Sequence, residues 1–344
     1  MKNKTYFIKT FGCQMNVSDE EMISGWYKEK GWQAAKLINR ADEIIIISCS
    51  VRQTAEDRVY GLINNLKKLK KNPEGFLISH PKIILTGCML RYPLRWLKEK
   101  MPVVDEFIKI EKFKTKKIIR KEKLPALVSI MEGCNQFCSY CVVPYARGRE
   151  KSRPFKEIVC EIKKLAQNGC QEVMLLGQNV NSYGKDLKKN NNFAELLKTI
   201  HRIEGIKKIA FFTSNPWDLS QKIIEALKLP KIDRYLHLPV QSGDDDILKK
   251  MNRHYTAKDY LTLVKNIKKE IPDIKIGTDI IVGFPGETEG QFKNTLNLCK
   301  KVGFVKAYVS MYSPRPQTKA YQLEDDVPLK EKRRRWKILD DLIN

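Results

Sequence analysis

Ile44-Ile45-Ile46-Ile47-Ser48-Cys49-Ser50 is a short apolar run that ends on small polar residues. An apolar run without alternation, bounded by turn signals, suits a strand covered on both faces, as in a parallel sheet. Outward from it, Tyr6-Phe7-Ile8 leads to Gly12, and Ile83-Ile84-Leu85 leads to Gly87. Helical patterns lie between these runs. Ser18 is expected to open the first helix, with Glu21 completing a capping box. Val51 to Lys70 reads as the second helix, and the third lies around Arg91 to Lys100. The βαβαβα alternation predicts an open parallel α/β sheet.

After a basic stretch, Lys109 to Lys123, Pro125 precedes a second series. Its expected strands are residues 126–131, 172–176, 208–212, 235–238, 275–282 and 306–311. Its expected helices include 156–167, 194–203, 219–227, 258–269 and 289–302. Six βα units are too few for a closed eight-stranded barrel, so a partial (β/α)6 barrel is expected, with its site at the carboxyl ends of the strands. Domain boundaries are placed at 1–118, 119–328 and 329–344, the last a basic helix.

The chain has 344 residues, 42% hydrophobic and 30% charged, enough to bury a core. No apolar run is long enough to span a membrane, and the first residues lack a signal-peptide pattern, so the expected compartment is the cytoplasm. There, nine cysteines point to metal or catalytic thiols rather than to disulfides. A formal charge of +24 would attract a polyanion, of which nucleic acid is the commonest. Lys109–Lys123 carries eight basic and two acidic residues, and Lys330–Lys337 six basic residues and one Glu.

Cys134, Cys138 and Cys141 follow the first strand of the second series. Three thiolates at this spacing suit an iron–sulfur cluster with one iron left open. Zinc is the alternative, but structural zinc sites are usually closed by four ligands, and His201 lies far away in sequence. Cys13, Cys49 and Cys88 each follow a strand of the first series. In a parallel sheet the three carboxyl ends lie on one edge, where the thiols can converge. The alternative is ordinary packing, the reading given to Cys160, Cys170 and Cys299.

The segment Gly133-Cys134-Asn135-Gln136-Phe137-Cys138-Ser139-Tyr140-Cys141-Val142-Val143-Pro144-Tyr145-Ala146-Arg147-Gly148 resembles the signature of the radical S-adenosylmethionine (SAM) methylthiotransferases. Phe11-Gly12-Cys13-Gln14-Met15-Asn16-Val17 and Ser48-Cys49-Ser50-Val51-Arg52-Gln53 are similar to the tRNA-modifying MiaB branch of that family. The resemblance runs from about Thr10 to Ala320. It implies a radical SAM barrel behind an auxiliary-cluster domain, with two 4Fe–4S clusters and SAM as cofactors. One cluster would sit on Cys134, Cys138 and Cys141 and cleave SAM to a radical. The other would sit on Cys13, Cys49 and Cys88 and carry the sulfur.

Further family-like segments end successive strands: Leu176–Asn181, His237–Gly243, Asp279–Thr288 and Tyr312–Pro316. Glycine there permits close approach of a ligand, and amides and hydroxyls can hold ribose and carboxylate groups. Gly177, Gln178, Asn179, Gln241, Ser242, Gly283 and Arg147 are therefore the expected SAM contacts. His237 is expected to be a buried strand residue bonded to a backbone group. Two positions depart from the family pattern: Ala210 replaces an Arg, and Asn215 replaces a His.

The implied substrate is N6-isopentenyladenosine beside the anticodon, methylthiolated at carbon 2. Alternatives are the same chemistry on threonylcarbamoyladenosine in tRNA or on a ribosomal-protein aspartate. A different class is a basic RNA-binding protein with structural metal sites. The implied partners are a tRNA anticodon stem-loop and an electron donor such as flavodoxin or ferredoxin, with the chain acting as a monomer away from membranes. Family members continue into a small β-barrel RNA-binding (TRAM) domain, and the chain is expected to stop short of it.

Overall fold

The isoleucine run is the central strand of the first sheet. In a computed structural model, residues 4–71, 81–113, 115, 117–120, 125–187 and 191–344 are described. Of the basic stretch, residues 114, 116 and 121–123 lie outside them. The chain divides into two units, Met1–Lys123 with Tyr145–Arg147, and Leu124–Pro144 with Gly148–Asn344.

The first unit contains β1 (Thr5–Thr10), α1 (Gln14–Glu29), β2 (Gln33–Ala34), β3 (Glu43–Ser48), α2 (Gln53–Lys71), β4 (Lys82–Gly87), α3 (Leu94–Lys100) and β5 (Glu106–Phe107). The strands form one parallel sheet in the order β2-β1-β3-β4-β5. Alternate residues of β3 serve opposite faces. Ile44 and Ile46 pack with Val59, Ile63 and Leu66 of α2, whereas Ile45 and Ile47 pack with Ile23 and Tyr27 of α1. All four isoleucines are fully buried, which explains the absence of alternation in the sequence.

The helix expected to begin at Ser18 begins at Gln14, with Cys13 as its N-cap. No capping box forms at Ser18, because Glu21 is drawn instead to Arg120 at 2.7 Å. The two-residue edge strands β2 and β5 were not legible in the sequence.

The second unit contains β6 (Ala126–Ser129), β7 (Met131–Glu132), the first two residues of the short α4 (Val143–Arg147), β8 (Lys151–Ser152), α5 (Phe155–Gln167), β9 (Glu172–Leu176), α6 (Phe193–His201), β10 (Lys208–Phe211) and α7 (Gln221–Leu227). It continues with β11 (Tyr235–His237), α8 (Asp245–Lys250), α9 (Ala257–Glu270), β12 (Lys275–Val282), α10 (Glu289–Val302), β13 (Lys306–Met311) and α11 (Leu329–Ile343). β6, β9 and β10 form one parallel sheet, and β11, β12 and β13 another. A lone parallel bridge, Ile209 to Ile232, links the edge of the first to the chain entering β11. Six parallel strands thus follow one another in chain order, and among the described residues no ladder joins β13 back to β6. This is the expected partial barrel. Val128, Val173, Leu175, Ile209, Leu236 and Ile276 fill one continuous core beneath the helices. Every strand therefore delivers its carboxyl-end loop to the same rim.

Candidate active site

In the first unit the sheet register brings three cysteine loops together. Thr10 pairs with Ile47, and Ser48 with Gly87. Cys13, Cys49 and Cys88 therefore leave adjacent parallel strands at nearly the same level. Gly12 (φ +128°) lies so close to Cys49 that a Cβ on it would stand 2.4 Å from the Cys49 Cβ. Gly87 (φ +90°) has the same constraint against the Ser48 carbonyl. Asn16 is fully buried and donates from Nδ2 to the carbonyls of Phe11 (2.8 Å) and Ser48 (3.1 Å), clamping the Cys13 and Cys49 loops. Arg91 donates to Ser50 Oγ at 2.7 Å and neighbours Glu56, tying the Cys49 loop to the segment after Cys88.

Burial pushes the Cys49 thiol up to about 11, and the nearby Cys88 and Cys13 add to the shift. Cys88 is raised by burial too, against a lowering pull from Arg147. These are thiols that influence one another and that ionise only with help. Cys13 is exposed, whereas Cys49 and Cys88 are buried.

In the second unit Cys134, Cys138 and Cys141 share one loop after β7. Gly133 (φ +77°) starts it, where a Cβ would meet the Arg149 carbonyl at 2.1 Å. Asn252 Nδ2 donates to the carbonyls of Gln136 (3.1 Å) and Phe137 (3.0 Å), Ser139 N to that of Met251 (3.0 Å), and Ala320 N to that of Ser139 (2.8 Å). Arg253 aims Nη1 at the Cys138 sulfur, 3.5 Å away, while Nη2 holds the Pro239 carbonyl at 2.9 Å. Its guanidinium stacks on Trp217, 4.6 Å to the ring centre. Burial pushes Cys134 up to about 12 and raises Cys141 further.

Among the described residues no three Cys, His, Asp or Glu side chains stand close enough to hold a single metal ion. An iron–sulfur cubane has another requirement, since each thiolate takes its own iron. The donor chemistry of both sets, three thiols with a buried arginine beside one of them, fits such a cluster.

Three buried acceptors at the strand ends of the second unit lack a hydrogen-bond partner: Asn179 Oδ1, Asn215 Oδ1 and Gln241 Oε1. Gln241 (φ +69°) is held in the left-handed region that non-glycine residues seldom adopt. These atoms fit a ligand rich in N–H and O–H donors, as SAM is. Asn179 Nδ2 and Gln136 Nε2 both donate to Asp218, at 2.8 and 3.2 Å.

Other expected contacts have different occupations. The space at Gly177 is taken by Met131, whose Cγ would lie 2.5 Å from a Cβ there, and that at Gly283 by Lys332, at 2.4 Å. Ser242 is fully buried, its Oγ 3.3 Å from Thr295 Oγ1. These three positions make packing contacts with Met131, Thr295 and Lys332. Gln178 accepts from the Gly133 amide and so supports the cysteine loop. His237 is buried as expected, but its ring nitrogens meet the side chains of Tyr235 (3.2 Å) and Asp279 (3.1 Å), not a backbone group. Arg147 pairs with Asp19 at 2.6 Å and Asn16 at 2.9 Å, within the first unit.

Arg253, Asp218 and Asn16 were not singled out from the sequence. Arg253 reaches Cys138 and Asp218 reaches Gln136 and Asn179 across long stretches of chain, and Asn16 stands inside the Cys13 motif without a spacing that marks its role. Of the remaining cysteines, Cys299 is buried as packing requires and Cys170 is half-buried, but Cys160 is exposed, on the outer side of α5.

Two family models match the chain: the radical SAM superfamily over residues 128–299 and the uncharacterized protein family UPF0004 over residues 5–109. A tRNA-2-methylthio-N(6)-dimethylallyladenosine synthase of Clostridium tetani is 46% identical, covering 99% of this chain and 81% of the relative. One from Caldicellulosiruptor saccharolyticus is also 46% identical, covering 99% and 78%. Among solved structures, the radical SAM methyltransferase TsrM from Kitasatospora setae matches 92% of this chain and 77% of its own with a TM-score of 0.66 at 12% identity. The cobalamin-dependent radical SAM enzyme OxsB matches 93% and 55%, with a TM-score of 0.58 at 10% identity. At such identities these two establish likeness of fold.

Proposed function

This chain belongs to the tRNA-2-methylthio-N(6)-dimethylallyladenosine synthase family of radical SAM enzymes, and we propose that it adds a methylthio group to carbon 2 of N6-isopentenyladenosine in tRNA. The observation that carries the reading is the identity of 46% across nearly the whole chain, beside two sets of three cysteines in this sequence.

We assign Cys134, Cys138 and Cys141 as ligands of one 4Fe–4S cluster and Cys13, Cys49 and Cys88 as ligands of a second. When bound, these groups supply the electron that cleaves SAM to a hydrogen-abstracting radical, and the sulfur to be inserted. The protein's own part is placement. Asn252, Ser139 and Gly133 fix the loop that presents Cys134, Cys138 and Cys141. Arg253 offers a charge-assisted N–H to the Cys138 sulfur. Asn179, Asn215 and Gln241 hold unspent acceptors for the amino and hydroxyl groups of SAM. Asn16 holds the loops of Cys13 and Cys49 at a common level.

The polynucleotide partner accords with the +24 charge, and unpaired loop bases can be splayed into a protein cleft. A small electron donor such as flavodoxin or ferredoxin completes the system, and the compartment is the cytoplasm. No described helix is long and apolar enough to cross a membrane.

The test is an anaerobic reaction of the iron- and sulfide-reconstituted chain with SAM, a reductant and isopentenylated anticodon stem-loop. Mass analysis of the digested nucleosides should show a methylthio gain on isopentenyladenosine. A gain on threonylcarbamoyladenosine instead would overturn the substrate, and a colourless, zinc-rich protein would overturn the reaction class.

A further inference from the structure

Arg147 lies six residues beyond Cys141, yet its polar contacts are with the other cysteine set. The structure groups Tyr145–Arg147 with the first unit. There the Arg147 side chain is 6% exposed, and its Nη2 is spent twice, on Asp19 Oδ2 at 2.6 Å and Asn16 Oδ1 at 2.9 Å. Asp19 is itself buried, so the ion pair fixes the plane of the guanidinium. Asn16 in turn is fixed by the carbonyls of Phe11 and Ser48, which belong to the cysteine loops, and its Oδ1 stands 3.8 Å from the Cys13 sulfur. The other terminal nitrogen, Nη1, is buried and has no hydrogen-bond partner. The Cys88 side chain neighbours the guanidinium.

A buried guanidinium N–H without an acceptor is costly, and more so than for a neutral polar group because it carries charge. The cost is relieved when an anionic acceptor forms beside it. A neutral thiol is a poor acceptor and a thiolate a good one.

We propose that Arg147 is a positioning residue of the Cys13–Cys49–Cys88 site, donating its free Nη1–H to the Cys88 sulfur once that sulfur is a thiolate ligand. The inference rests on the assignment of these three cysteines to a cluster. Asp19 and Asn16 hold the donor in place, so that no rearrangement is needed when the thiolate forms. A donor to a ligand sulfur stabilises the more negative, reduced state, and so raises the reduction potential of the group bound there.

The experiment uses the full chain with Cys134, Cys138 and Cys141 replaced by Ala, reconstituted with iron and sulfide, so that only the Cys13–Cys49–Cys88 site contributes. Iron content and the midpoint potential, followed by electron paramagnetic resonance, are compared for this parent, R147K and R147Q. The potential should fall in R147Q. R147K keeps a charge for Asp19 but not a second nitrogen in the guanidinium plane, and should fall between the two. If R147Q loses its iron or its fold, the R147K shift decides. An ion pair of purely structural purpose would change the melting temperature and leave the potential alone, so parent-like potentials in the folded variants overturn the proposal. A parent that takes up no cluster overturns the cysteine assignment itself, and is distinguished by its iron content.

Discussion

At the scale of single residues, two arginines with buried side chains stand beside cysteine sulfur. Arg147 serves the cysteine set of the first unit, and Arg253 lies beside Cys138 in the second. The thiols were legible in the sequence because three fall within eight residues and three more follow strand runs. The arginines were not. Arg147 meets Asp19 across 128 positions, and Arg253 meets Cys138 across 115, separations at which no motif carries information. Arg147 was expected among the SAM contacts because it sits in the cysteine motif, whereas its actual partners come from α1. The raised thiols make a prediction at this scale. Cys49 at about 11 and Cys134 at about 12 stay neutral in the fold above the usual thiol value of about 8.5. Below that value their contribution to stability is complete. As pH climbs past it toward 11 and 12, the unfolded chain ionises first and stability is lost. Urea denaturation of the metal-free chain at pH 7.5 and 9.5 should give a lower midpoint at the higher pH. A smaller difference in a variant with Cys49 and Cys134 replaced by Ser would assign part of the loss to these two thiols, beside the raised Cys88, Cys141 and Cys299, and an unchanged difference would clear them.

At the scale of elements, β9, β12, β13 and α10 lie where the apolar patterns put them. The misses are short or turn-like. β2, β5 and α8 have too few residues to show a period, and α1 starts on a cysteine rather than on the serine that resembled a cap. α11 is the instructive case. Its basic run, Lys330–Lys337, counted toward the charge expected to attract a polyanion. Lys330, Arg333, Arg334 and Lys337 are exposed, but Lys332 and Arg335 are buried, with Lys332 on Asp325 and Arg335 Nη1 on Glu287 Oε2 at 2.8 Å. Glu287 also accepts from the Gly283 amide at 2.6 Å, so the helix locks the loop after β12. Charge counts along a sequence cannot separate such internal pairs from exposed charge. R335L should leave the Glu287 carboxylate buried without its cation, and cost about 3–5 kcal/mol in chemical denaturation. A loss below about 1 kcal/mol would mean that the pair acts as an ordinary surface contact.

At the scale of the molecule, two α/β units each end parallel strands on a rim that carries three thiols. The open sheet and the partial barrel were both readable from apolar runs, because strands covered on two faces write an unbroken signal. Less readable was which rim residues keep polar groups without a partner. Gly177, Ser242 and Gly283 are at strand ends but pack against Met131, Thr295 and Lys332, whereas Asn179, Asn215 and Gln241 keep unspent acceptors. The distinction depends on contacts between elements, which spacing does not encode. The central claim is a division of labour between the two cysteine sets. It is tested most directly by anaerobic turnover of two full-length variants with SAM, reductant and isopentenylated stem-loop, measuring deoxyadenosine and methylthio-nucleoside together. The chain with Cys13, Cys49 and Cys88 replaced by Ala should still release deoxyadenosine and form no methylthio product. The chain with Cys134, Cys138 and Cys141 replaced should form neither. Methylthio product from the first variant, or deoxyadenosine from the second, would contradict the assignment.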